Sequence, residues 1–255
     1  MTLKFSEKVH RYWCDGRPIP GVTGIIGKGV PKPAIPYWAA RCVAEFVADE
    51  PEKVEALRGL GRDPMVAALK GVPWTKRDEA AVRGTAVHAL AERVIHGEAV
   101  EVPEHLAGYV EGYVRFLDDF DVEPVLTEKS VANREHWYAG RFDSIVHIPT
   151  LGDRNIMVDL KTSTGVYGET SLQNAAYSAA EFYVNDGAPE VEIPMPLIEG
   201  IAVAHVTEYG TYLYDLGDRD VAHAEFLAAK RIADSADRRK NLIGDPIEPP
   251  QESAA

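Results

Sequence analysis

Near Val122 the chain changes period. Upstream, apolar residues recur every three to four positions, as helices require. Downstream they fall into strand-length runs at 123–132, 137–148 and 155–161, separated by the turn-like stretches Asn133-Arg-Glu135 and Leu151-Gly-Asp-Arg154. A helical stretch at 171–185, ending near Asn185-Asp-Gly187, follows. Residues 198–206 and 210–216 then form a hairpin around Tyr209-Gly210, and a helix covers 218–240 with Val221, Ala224, Ala228 and Ile232 on one face. Helix, three strands, helix, two strands predicts an α/β fold: a mixed sheet with helices on both faces.

The part before the sheet, 37–120, is read as mostly helical. Pro36 opens one helix. Short helices are expected at 51–59 and 63–70, broken by Gly59, Gly61 and Pro64. A longer one runs from about Arg77 to His96, stopped by Gly97, and another from Pro103 to Phe120. Residues 1–36, punctuated by Gly16, Pro18, Pro20 and Gly21, read as short strands and turns. The expected organisation is one domain over 1–244 and a disordered acidic tail at 245–255, which holds three prolines and three acids.

Composition limits the functional classes. No run of eighteen apolar residues exists, so no membrane span is expected. The charged start, Met1-Thr-Leu-Lys-Phe-Ser-Glu-Lys8, lacks an apolar leader core, so a cytoplasmic protein is expected. The two cysteines, Cys14 and Cys42, cannot build a four-cysteine iron–sulfur site. Gly21 to Gly29 imitates a phosphate loop but has the wrong spacing and lacks the Ser or Thr that binds Mg²⁺, so no ATP site is expected. The formal charge of −13 argues against a non-specific nucleic-acid coat. Residues 1–32 nevertheless carry +4, and Lys28 and Lys32 within them are candidate DNA contacts or, equally, cations balancing nearby acids.

The chemistry-bearing residues sit on the strands. Asp143 ends Gly140-Arg-Phe-Asp143, and Asp159-Leu160-Lys161 follows sixteen residues later. Strand alternation points Asp159 and Lys161 to one side and Leu160 to the other. If neighbouring strands bring Asp143 beside Asp159, two carboxylates can hold a hard cation, Mg²⁺ or Mn²⁺, beside an ammonium. The plainer alternative is a surface charge pair. Upstream, Gly84-Thr85-Ala-Val-His88 puts a histidine one turn before Glu92. Glu92 is a candidate to orient it or is merely solvated. Glu128, on the preceding strand, pairs with Lys129 or Arg141 or serves a second metal. Arg83 is a candidate phosphate clamp. Gln173 and Tyr177, four apart, share a helix face. Of the four tryptophans, Trp137 is the candidate for stacking on bases, while Trp13, Trp38 and Trp74 read as core anchors.

These segments, in this order, resemble the RecB-like and CRISPR-associated branch of the PD-(D/E)XK nucleases: a Gly-Thr-x-x-His helix, a Gly-x-x-Asp strand, an acid-x-Lys strand and a Gln-x-x-x-Tyr helix. Tyr12-Trp-Cys-Asp-Gly16 with Ile19-Pro-Gly-Val-Thr23 resembles the entry of phage members. The resemblance implies a restriction-endonuclease-like core with a helical N-terminal insertion. It makes His88, Asp143, Asp159 and the carbonyl of Leu160 ligands of one or two ions, with Lys161 catalytic. Gln173 and Tyr177 would stand near the nucleic-acid backbone and the attacking water. The function so implied is a Mg²⁺- or Mn²⁺-dependent DNA nuclease, an exonuclease on single strands or duplex ends in phage or bacterial recombination or repair, with any helicase or recombination protein a separate chain. The alternative is a non-catalytic nucleic-acid-binding subunit that kept the fold.

Overall fold

The computed structural model describes residues 2–152 and 154–247. It opens with β1 (Leu3–Ser6), β2 (Arg11–Cys14) and β3 (Arg17–Ile19), followed by α1 (Val22–Gly29), α2 (Ala34–Asp49), α3 (Pro51–Gly59), α4 (Arg62–Ile95) and α5 (Ala107–Asp119). Then come β4 (Glu123–Asn133), β5 (Tyr138–Ile148), β6 (Arg154–Lys161), α6 (Glu169–Ser178), β7 (Phe182–Asn185), β8 (Ala188–Pro194), β9 (Gly200–Thr207), β10 (Gly210–Asp215) and α7 (Arg219–Lys240). The main sheet has seven strands in the order β10-β9-β6-β5-β4-β7-β8, with only β6 and β9 parallel. The small antiparallel sheet β1-β2-β3 stands apart. The chain is therefore a mixed α/β protein with a mixed sheet flanked by helices. Among the described residues no helix is long and apolar enough to cross a membrane.

Alternation along the strands sends two sets of side chains to opposite faces. Ile145, Met157 and Ile201 pack with α1, α6 and α7 through Ile25, Tyr177 and Phe226. Val146, Ile148, Val158 and Leu160 pack with α4 and α5 through Val87, Ile95 and Phe116. The small sheet covers Ala132, Ala139, Phe182 and Val184 with Leu3, Cys14 and Ile19. Pro20 C=O accepts from Ala139 N–H and fastens that sheet to β5.

The three strands around the switch in period lie where alternation predicts. Four other expectations are corrected. The short helix 63–70 and the long one from Arg77 are a single helix, α4, of 34 residues. Pro64 falls in its first turn, where the missing N–H has no intrahelical partner to lose. Pro73 does remove an internal bond, but it is buried and α2 packs alongside. The helix expected over 171–185 ends at Ser178. Phe182 and Val184 alternate inward and pair with β4 as β7, a strand too short to announce itself against a preceding helix. Residues 22–29 are helical despite their glycines, because Val22, Ile25 and Ile26 share one buried face. On α7 the buried face is Ala222, Phe226 and Ala229, whereas Val221 and Ile232 are exposed. Of the expected tail, 245–247 are described without regular structure, and 248–255 lie outside the described residues.

Candidate metal centre

The alternation just described breaks at one level of the sheet. Tyr138 and Phe142 face the α6 side, yet so does Ile145, an odd step away; on β4, Val131 and Leu126 do the same. Both strands thus change parity between these residues. Glu128 and Asp143 lie at that change, flanked by the pairs Lys129↔Phe142 and Thr127↔Ser144. Glu128 adopts φ 51°, the left-handed region that a residue with a Cβ avoids. Such irregularities re-aim side chains out of the pleat. Here they turn both carboxylates toward His88 on α4.

One ligand atom each from His88, Glu128 and Asp143 lies within 4.8 Å of the others. His88 Nδ1 is 3.6 Å from Asp143 Oδ2. The Leu160 N–H donates to that same oxygen at 2.7 Å. A small pocket beside them is lined by Glu92, Tyr113, Thr127, Ser144 and Leu160. Burial, and then the neighbouring Asp159 carboxylate, hold Asp143 well above the usual carboxylate range; the Lys161 ammonium and the Leu160 N–H oppose this. Burial lowers His88 below the usual histidine value, which favours the neutral, ligating imidazole.

Asp159 continues the β5–β6 ladder one step past Ser144↔Val158, which sets it across from Asp143. It is not an exposed group: its side chain is 2% accessible. Lys161 Nζ forms an ion pair with its Oδ2 at 2.5 Å. Its Oδ1 accepts from Gln173 Nε2 at 3.1 Å. Gln173 in turn approaches the Tyr177 hydroxyl at 3.5 Å. Tyr177 itself is a core residue, 3% exposed, that reaches the site only through Gln173. It packs where Gly140 leaves room: a Cβ on Gly140 would stand 2.2 Å from Tyr177 Cε1.

The donor set suits a hard divalent cation. Two carboxylates and one imidazole supply oxygen and nitrogen, neither cysteine belongs to the group, and a third carboxylate, Asp159, ion-paired to Lys161, stands across the strand pair. Ligands about 2.1 Å from a Mg²⁺-sized ion lie about 3.0 Å apart when cis and about 4.2 Å when trans, a range that includes the 3.6 Å between His88 Nδ1 and Asp143 Oδ2.

The remaining sequence candidates divide. Glu92 is exposed at the pocket edge. Gly84 is close to Thr162, where a Cβ would meet Oγ1 at 3.3 Å, so α4 does approach the end of β6. The Arg83 guanidinium sits 5.9 Å from the Tyr109 ring, with Nε buried and unbonded. Lys32 lines a groove of about 950 Å³ whose floor includes Lys161 and Gln173, and its Nζ is 3.8 Å from Glu169. Lys28, in the last turn of α1, is exposed and does not line the groove. Trp38 and Trp74, expected in the core, are exposed. Trp137 donates to Pro18 C=O and is covered by Arg17, whereas Trp38 is 41% exposed on the groove wall. Of the two pairing partners the sequence offered Glu128, Arg141 is the one it takes, and that pair borders the cluster. Arg141 Nε donates to Glu128 Oε2 at 2.6 Å.

No protein-family model matches the chain, and no curated protein matches it.

Proposed function

We propose that the chain is a divalent-metal-dependent nuclease acting on DNA, with a RecB-like PD-(D/E)XK core, and that His88, Glu128, Asp143 and Asp159 hold the ion, Mg²⁺ or Mn²⁺. The observation that carries this is the meeting of His88 with the strand carboxylates Glu128 and Asp143, midway along β4 and β5, with Asp159 and Lys161 at the end of β6 across from Asp143; the motifs stand in that family's order. A bound divalent ion supplies Lewis-acid polarisation of a phosphoryl oxygen and a more acidic water.

The residues do the rest. Lys161, beside the cluster and at the groove floor, offers a positive charge to the oxygens of a phosphate undergoing attack. Its ammonium balances the buried Asp159 carboxylate. Gln173 fixes one Asp159 oxygen and leaves the other turned to Lys161. Tyr177 sets Gln173 by packing against Gly140. The groove between residues 30–38 and 163–173 gives a polynucleotide end a route to Lys161, with Lys32 at its side and Trp38 available for stacking. This supports action on unpaired ends.

The test is incubation with end-labelled single- and double-stranded DNA in Mg²⁺, Mn²⁺ or EDTA. Metal-dependent loss of label, abolished by Asp143→Ala, is expected. Intact DNA in every condition would refute nuclease activity; tight binding without cleavage would favour the non-catalytic subunit.

A further inference from the structure

The Glu128 carboxylate has a support that the nuclease reading does not use. One of its two oxygens, Oε2, accepts from Arg141 Nε at 2.6 Å. The other end of the same guanidinium grips Asp186 with both amino groups, Nη1 to Oδ1 at 3.1 Å and Nη2 to Oδ2 at 3.3 Å. Asp186 lies in the tight turn between β7 and β8, two strands' width from β5. Arg141 is only one-third exposed. It therefore ties a residue of β4 to the hairpin at the sheet's far side.

This tie acts on a residue that needs it. At φ 51° the Glu128 backbone sits in a strained region, which persists only when surrounding contacts hold it. A glutamate with three side-chain torsions would otherwise sample many orientations in the open pocket. The planar guanidinium fork fixes direction as well as distance. It also takes one of the lone pairs of the carboxylate, which leaves acceptor capacity for a cation beside His88 and Asp143. A positive charge beside a cation site is by itself unfavourable. The Glu128–Arg141–Asp186 group as a whole carries −1, so Asp186 offsets that penalty.

We propose that Arg141 is a positioning residue: braced by Asp186, it holds Glu128 in the orientation that completes the divalent-cation site with His88 and Asp143. The proposal rests on the metal reading above and adds a device specific to this chain.

The experiment is calorimetric titration of Mn²⁺ into the full chain, without DNA, for the parent, His88→Ala, Arg141→Lys and Asp186→Asn, with thermal melts in EDTA alongside. Arg141→Lys keeps the charge but cannot span both carboxylates, so it separates geometry from repulsion. Partners that orient ligands are worth about 10–100-fold in metal affinity. A loss in that range is expected for Arg141→Lys, with a smaller loss for Asp186→Asn at an unchanged melting temperature. Asp186 is largely exposed, so its variant folds even if Arg141→Lys does not, and it then decides alone. Parent-like or tighter Mn²⁺ binding in the folded variants, with binding lost in His88→Ala, overturns this proposal and leaves the metal site standing. A parent that binds no Mn²⁺ overturns both.

Discussion

Gly140→Ala tests whether the site is assembled by close packing beneath it. The added Cβ would lie 2.2 Å from Tyr177 Cε1, and 3.0 and 3.1 Å from Cδ1 and Cζ. Carbon atoms rest at about 3.5–4.0 Å, so the overlap with the nearest atom exceeds about 1 Å. Tyr177 cannot swing away, because it is enclosed by Ala176, Ile201 and Phe226 in the same core. Either β5 or α6 must shift, an overpacking cost of about 1–3 kcal/mol. For a chain of this size that lowers the melting temperature by roughly 2–12 °C. The shift also moves the Tyr177 hydroxyl from Gln173 and so loosens the hydrogen bond on Asp159. Thermal melts of Gly140→Ala, Tyr177→Ala and the double variant measure the coupling. Tyr177→Ala alone should cost about 3–5 kcal/mol, and Gly140→Ala should add almost nothing to it. A Gly140→Ala melt equal to the parent's, or additive costs in the double variant, would refute the close-packing argument.

Lys161→Ala should cut turnover about 10²–10³-fold while Mn²⁺ binding persists, read by single-turnover cleavage beside calorimetry; parental turnover would remove the lysine from the chemistry. The same variant leaves the buried Asp159 without its cation, so its metal-free melting temperature should fall and Mn²⁺ should restore more of it than in the parent. Asp143 has a folded value above its unfolded one, so its favourable contribution is full below the ordinary carboxylate range and lost as pH rises through the raised value. His88, depressed, contributes above about pH 6.5 and loses that as pH falls. In EDTA, the melting temperature of Asp143→Asn relative to the parent should therefore climb from acid to neutral pH; a flat difference would contradict the burial of that charge. Lys32→Ala should weaken DNA binding and reduce the salt slope by about 1, with Lys28→Ala smaller, because only Lys32 borders the groove. Equal, unchanged slopes would move the DNA path elsewhere.

The sequence by itself determined the strands that matter. Alternation is written into each residue and its second neighbour, so 123–132, 137–148 and 155–161 emerge without knowledge of any partner. The same locality put Asp159 and Lys161 on one side, His88 near Glu92, and Gln173 with Tyr177. Tertiary structure decided which of these meet. Glu128 looked like an ordinary strand carboxylate, and it joins His88 and Asp143 only because two neighbouring strands change parity at the same level. Asp159 reads as an exposed acid, but α6 covers it and delivers Gln173. Trp38 is exposed and Trp137 is partly covered because a helix start and a small sheet choose which indole is packed. The buried face of α7 follows the neighbours it packs against rather than its own most apolar stripe. In each case the deciding interaction joins residues far apart in the chain, and one strand's pattern carries no record of what the next strand or helix brings to it.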